Sequence, residues 1–213
     1  MLCVEYNELY TYLVQLVSRA NTEGMYYKPR VDKELLRKYS KGLICLSACI
    51  AGEVPAWIIR GDMYRAEKAL QEYLEIFGPE NYFIEIQNHG MAEEKIAMDG
   101  IIPLAKKYNL GLVATNDAHY LKKEDSEFHE VLLCIQTGKN LDDPNRMKFS
   151  SDDYYLKSPE EMAGIFREYP EAIANTVKIA SRCHVEFDFD HRHLPLFPLP
   201  EGMTDEMYLR KLC

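Results

Sequence analysis

The sequence predicts an α/β fold built from parallel βα units. Three observations predict it. Short apolar runs begin at residues 43, 82 and 112, and stretches of helical period separate them. Each run then ends in polar residues: Ser47-Ala48-Cys49, Gln87-Asn88-His89-Gly90, and Thr115-Asn116-Asp117-Ala118-His119. In parallel α/β folds, chemistry collects at the carboxyl ends of strands.

The elements follow in order. Residues 1–4 are a short apolar strand stub. Leu9, Tyr12, Leu13, Leu16 and Val17 fall at helical spacing over residues 8–20, and Thr22-Glu23-Gly24 ends that helix. Residues 26–30 are extended around Pro29. Asp32 caps a short helix with Leu35, Leu36 and Tyr39 inward. After the strand at 43–46, Gly52-Glu53 and Pro55 read as punctuation. Gly61-Asp62 starts an amphipathic helix whose stripe is Ala66, Ala69, Leu70, Tyr73, Leu74 and Phe77, stopped by Gly78-Pro79. The next helix places Ile96, Ile101, Leu104 and Tyr108 inside.

Beyond His119 the pattern changes. Residues 126–136 are helical, with Phe128, Val131, Leu132 and Ile135 on one face. Residues 141–146 form a turn-rich loop, and residues 154–157 are extended. Ser158-Pro159-Glu160-Glu161 is a capping box with proline at the first helical position. Another helix starts at Pro170. Residues 187–200 read as an extended connector, and Thr204 caps a last short helix.

Composition bounds the function. Hydrophobic residues make up 47% and charged residues 28%, which is globular usage. A net charge of −9 excludes a general attraction for the phosphate backbone. There is no run of about eighteen apolar residues and no basic leader pattern, so no membrane partner is expected and a cytoplasmic location is. The six cysteines include no C-x-x-C pair and read as free thiols, most of them small core residues. There is no P-loop, no dinucleotide-binding glycine fingerprint and no G-x-S-x-G, so no cofactor-binding or catalytic residue of those kinds is assigned.

The candidate chemistry is a metal site. Asp117 and His119, two apart at a strand mouth, point the same way. Cys49 ends another strand. Thiolate, carboxylate and imidazole together suit zinc or manganese, and three ligands leave a position for water. The bland alternatives are a core cysteine, a loop-capping aspartate and a surface histidine. His89 reads as a turn residue. Glu85 alternates away from Ile84 and Ile86, toward a polar mouth. His191 and His193 read as surface, and His129 as solvated.

Several stretches resemble one family. They are YYKPRVDKELL (26–36), KGLICLSACIAGEVP (41–55), NYFIEIQNHG (81–90), LVATNDAHYL (112–121), LLCIQTGKNLDDPNRMKF (132–149), YYLKSPEEM (154–162) and LPLFPLP (194–200). The resemblance is to the polymerase-and-histidinol-phosphatase (PHP) domain, and the segment after it, of the bacterial replicative DNA polymerase III alpha subunit. It implies a partial distorted parallel βα barrel of PHP type, then a small helical segment and an extended connector. It implies that Cys49, Asp117 and His119 are the last three ligands of the PHP metal centre. One departure is Ala48, where glycine is usual. The remaining PHP ligands are expected upstream, and the magnesium-binding aspartates of the polymerase site downstream.

The expected organisation is residues 1–123 as the C-terminal part of a PHP domain, 124–186 as the helical segment, and 187–213 as connector and helix start. The resemblance implies DNA and nucleoside triphosphates as partners of the parent protein. It also implies a sliding clamp, a clamp loader and a proofreading exonuclease. It further implies that the PHP unit is either a metal-dependent 3′–5′ exonuclease or a scaffold. A freestanding PHP phosphoesterase is the rival enzyme reading. With few strands in hand, an open edge and an uncovered apolar sheet face are also expected.

Overall fold

A computed structural model describes residues 1–190 and 197–213, so His191 and His193 lie outside the described residues. The chain begins with β1 (Leu2–Val4) and α1 (Asn7–Thr22), followed by a small hairpin of β2 (Met25–Tyr26) and β3 (Lys28–Pro29). Next come α2 (Lys33–Tyr39), β4 (Leu43–Leu46), α3 (Glu53–Ile59) and α4 (Met63–Phe77). The α/β part ends with β5 (Tyr82–Ile86), α5 (Ala92–Lys107) and β6 (Leu112–Ala114). A 3₁₀ turn at Lys123–Asp125 leads into α6 (Ser126–Thr137), α7 (Pro159–Ile165), α8 (Pro170–Ala180) and α9 (Asp205–Leu212).

The sheet is open, four-stranded and mixed, in the order β1-β4-β5-β6. Strands β4, β5 and β6 run parallel, with Leu46 opposite Phe83 and Ile86 opposite Ala114. The stub β1 pairs antiparallel on the outside of β4, Cys3 facing Ile44. Parallel strands need crossovers, and the α3–α4 pair and α5 supply them.

Both faces of the sheet are covered, so the expected uncovered face is absent among the described residues. On one face Leu43, Cys45, Tyr82, Ile84, Ile86, Leu112 and Ala114 pack with Ala66, Leu70, Ile101 and Leu104 of the crossover helices. On the other, Ile44, Leu46, Phe83 and Val113 meet Ile179 of α8 and the half-buried Cys3 and Cys183. Every residue of β4, β5 and β6 is buried, as strands sandwiched between helices must be. The β6 margin is partly satisfied: the Asn175 amide on α8 donates to the Leu112 carbonyl at 2.7 Å.

Local chemistry fixes the ends of these elements. The Asp32 carboxylate accepts from the Leu35 amide at 2.8 Å, and Asp62 accepts from the Arg65 amide at 2.9 Å. Ser158 and Glu161 close the capping box on α7, and the Thr204 hydroxyl caps α9. Three expectations are corrected. Helix α3 forms where Glu53 and Pro55 read as punctuation, because proline is tolerated in a first helical turn. On α5 the buried positions are Glu94, Ala97, Ile101, Ile102, Leu104 and Ala105, while Ile96 is 47% exposed. The α6 stripe is not inward: Phe128, Leu132 and Ile135 are exposed, and Leu133 and Cys134 are buried.

The sandwich makes a direct stability prediction. Ile84→Ala, at a fully buried β5 position, should cost about 2–5 kcal/mol, whereas Ile96→Ala should stay within about 0.5 kcal/mol of the parent. Urea denaturation followed by circular dichroism measures both.

Candidate functional site

Parallel pairing brings the carboxyl ends of β4, β5 and β6 to one edge of the sheet. The polar residues that follow them meet there. Ser47 Oγ accepts from the Glu85 amide at 2.9 Å. Glu85 is 8% exposed and extends across both neighbours. Its Oε2 accepts from the Ala48 amide at 3.1 Å, and its Oε1 accepts from Thr115 Oγ1 at 2.6 Å. The Gln87 amide donates to Thr115 Oγ1 at 2.9 Å.

The turn after β6 carries Asp117 and His119. Asp117 Oδ2 and His119 Nε2 are 3.5 Å apart, with side chains 50% and 38% exposed. Asp117 has a φ of +47°, in the left-handed region where aspartate is tolerated and most residues are strained. The turn is held by its backbone and by Asn116. The His119 amide donates to the Tyr154 carbonyl at 2.8 Å. The Asn116 side chain donates to the Tyr155 carbonyl at 2.6 Å and accepts from Lys157 Nζ at 2.9 Å. The His119 ring meets Phe149 edge-on at 4.7 Å and approaches His129 at 5.5 Å. His129 is therefore not the solvated residue expected. It is half-buried among His119, Tyr120 and Phe149, and burial, with His119 beside it, lowers its pKa.

Cys49 follows β4 on the same edge and is half-buried. It lines a small cavity with Ala48, Glu85, Gln87 and Glu94. Its neighbour Ala48 has a φ of +66°, which gives a physical reason for the glycine usual in the resembling family. The thiol of Cys45, inside β4, is pushed up to about 12 by burial and is an inert core group.

The implied metal can be tested against this geometry. Asp117 and His119 supply a carboxylate and an imidazole side by side, facing solvent, which fits half of a zinc or manganese site. Among the described residues, no three His, Cys, Asp or Glu side chains come together as a ligand group, so Cys49 is not joined to the pair.

Sequence reasoning missed His89 as a buried residue. It is 2% exposed and stacks flat on Tyr154 at 4.1 Å. Its Nδ1 lies 2.5 Å from Glu94 Oε1 and its Nε2 lies 2.7 Å from the Asn116 carbonyl. The Asn116 carbonyl is an acceptor and Glu94 is one when ionised, so an imidazolium that donates from both ring nitrogens to a Glu94 carboxylate and that carbonyl satisfies every partner. Burial opposes the charge, but the Glu94 and Asn116 bonds win, and the His89 pKa is raised. Burial would raise Glu94, but the His89 ring and amide win, and its pKa is lowered. The Glu94 carboxylate also accepts from the His89 amide at 2.6 Å, which ties the start of α5 to the end of β5. A glutamate five residues after a turn histidine was the available signal.

Comparison with known proteins agrees with this architecture. Residues 1–89 match the PHP domain family. The DNA polymerase III subunit alpha of Treponema pallidum is 49% identical over 204 residues, covering 95% of this chain and 17% of that protein. The Thermus aquaticus protein of the same name is 48% identical over 209 residues, covering 95% of this chain and 17% of its own length. That of Campylobacter jejuni is 41% identical over 237 residues, covering 97% of this chain and 20% of its own. The fold is an α/β unit, and the part of it up to the turn after β5 matches the PHP family. Over 95% of its length the chain is similar to these DNA polymerase III alpha subunits, and it spans about one sixth of the length of the first two. No described helix is long and apolar enough to cross a membrane.

Two predictions follow from the paired groups and the strained turn. The raised His89 contributes stability that is full below its ordinary value of 6.5 and lost as pH rises through its folded value. The lowered Glu94 contributes stability that is full above its ordinary value of 4.5 and lost as pH falls through its folded value. The pair is therefore worth most between those two ordinary values. Glu94→Gln should flatten this pH dependence and destabilise by about 1–3 kcal/mol, because it removes the charge that keeps the proton on buried His89, as read from thermal unfolding over a pH series. Ala48→Gly should stabilise by about 1 kcal/mol by relieving the left-handed backbone, as read from urea midpoints.

Proposed function

We infer that this chain is the C-terminal part of the PHP unit of a bacterial replicative DNA polymerase alpha subunit, together with the segment that follows it. The PHP unit on this reading extends past the family match to include β6, and the helical segment begins near residue 124. The observation that carries the functional reading is the Asp117–His119 pair: 3.5 Å apart, facing solvent, at the carboxyl edge of a parallel sheet. Asp117 and His119 would hold a divalent ion, zinc or manganese, with other residues completing the set; Cys49, on the same edge but apart from the pair in this structure, would become a further ligand only as that set is completed. Such an ion, when bound, supplies a Lewis acid and an activated water for phosphodiester hydrolysis.

The chain's own residues have distinct tasks on this reading. Asn116 and the Tyr154 carbonyl fix the turn, and His89 holds the Asn116 carbonyl. The His119 ring packs at right angles against Phe149, which limits its rotation. None of the residues described would carry nucleotidyl transfer. That activity, with its magnesium, DNA and nucleoside triphosphates, would belong to the parent protein. So would the contacts with clamp, clamp loader and any separate exonuclease, in the cytoplasm. A non-catalytic scaffold is the second reading, favoured by the absence of a three-ligand group among the described residues.

The experiment is Asp117→Ala in a full-length alpha subunit carrying this segment. The exonuclease reading expects loss of metal-dependent 3′–5′ degradation with primer extension retained. Unchanged degradation would remove Asp117 from the site, and loss of primer extension in a folded protein would deny it a separate site. In the 213-residue chain alone, zinc should bind weakly and leave readily to a chelator, because affinity follows ligand count and preorganisation. Stoichiometric, chelator-resistant zinc would contradict that.

A further inference from the structure

We propose that Glu85 is the positioning residue that locks the Cys49 turn and the Asp117–His119 turn into one register. The inference rests on the reading of those three residues as a site, and it deepens that reading by naming what aligns them.

The geometry is specific. Glu85 stands on the central strand of the three parallel strands, on the opposite face from Ile84 and Ile86. A carboxylate at a position 8% exposed is unusual unless its oxygens are satisfied. Here they are satisfied across both strand gaps. Oε2 takes the amide of Ala48, the residue immediately before Cys49. Oε1 takes the hydroxyl of Thr115, two residues before Asp117. The donors are a backbone amide, a threonine hydroxyl and the more distant Gln87 amide at 3.4 Å, with no cation among them. Burying a carboxylate among neutral donors carries a desolvation cost that its hydrogen bonds must offset. It does fix geometry, because each oxygen accepts from a different turn.

The turns it touches need holding. Ala48 sits at φ +66° and Asp117 at +47°, both left-handed and both without glycine. Strained residues persist only where their surroundings over-determine them. At Ala48 the hydrogen bond that its backbone N–H donates to Glu85 is one such constraint. At Thr115 the bond fixes the last residue before the Asn116-Asp117 turn. Glu85 thus acts through Ala48 and Thr115, and it is a positioning residue rather than a ligand.

Two readouts separate this role from simple packing. One is the iodoacetamide alkylation rate of Cys49, resolved from the other five cysteines by peptide mass spectrometry. The other is the imidazole NMR signal of His119. Glu85→Ala should raise Cys49 alkylation about tenfold by freeing its turn, and should shift the His119 signal. Glu85→Gln should restore both toward the parent, since its carbonyl can accept from Ala48 and its amide can donate to the Thr115 hydroxyl. Thr115→Val should shift His119 while leaving Cys49 alkylation within about twofold, because it breaks only one arm. If Glu85→Ala fails to fold, the Gln and Val variants still decide. Equal disturbance by Gln and Ala, or a His119 signal indifferent to Thr115→Val, would overturn the proposal. Adding zinc to the parent tests the metal reading separately: a His119 signal that ignores zinc would sink that reading, and Cys49 alkylation would still judge Glu85.

Discussion

Parallel alignment of β4, β5 and β6 is the constraint on which the rest of this structure depends. It brings three chemically rich strand ends to one edge. It demands helical crossovers, and those crossovers supply the first covering layer. It also buries every residue of these three strands, so any polar group on them must find its partners locally. Glu85 meets that demand by bonding sideways to both neighbouring strand ends. The candidate site is thus a by-product of strand direction, assembled from turns that are far apart in sequence.

The second covering layer comes from α8, after the site has already been passed in sequence. Ile179 packs on the face made by Ile44, Leu46, Phe83 and Val113, and Asn175 reaches the β6 margin. The Arg182 guanidinium binds Glu5 at 2.8 Å and the Glu80 carbonyl at 2.8 Å, and His184 bridges to Tyr6. The helical segment is therefore part of what covers the second face of the open sheet. A polar stitch of this kind adds specificity of docking to the apolar contact beneath it.

Much of the fold was legible because period and punctuation agreed. On α4 the apolar stripe, the Asp62 cap and the Gly78 stop all pointed one way. The strand ends were legible for the same reason, since apolar runs gave way abruptly to polar turns. Other features were not. Helix α3 is seven residues long and contains Pro55, so neither length nor propensity announced it. The α6 stripe was read with the right period, but period says which side is apolar and not whether anything in the chain covers it. His89 was assigned to a turn, which it occupies, but burial at that turn comes from Tyr154 and Glu94, and that packing is tertiary. For the site, the Asp117–His119 pairing followed from i, i+2 spacing. Where Cys49 lies relative to that pair depends on turn geometry, which spacing does not encode.

The central claim is that the carboxyl edge of the sheet is a divalent-metal site centred on Asp117 and His119. Paramagnetic broadening by manganese, recorded on the backbone amides of the isotope-labelled chain, tests it most directly. The expected result is selective broadening over residues 115–119, weaker broadening at Ala48 and Cys49, and loss of both in Asp117→Ala. Broadening centred on another acidic surface, or uniform weak broadening that Asp117→Ala leaves unchanged, would contradict it.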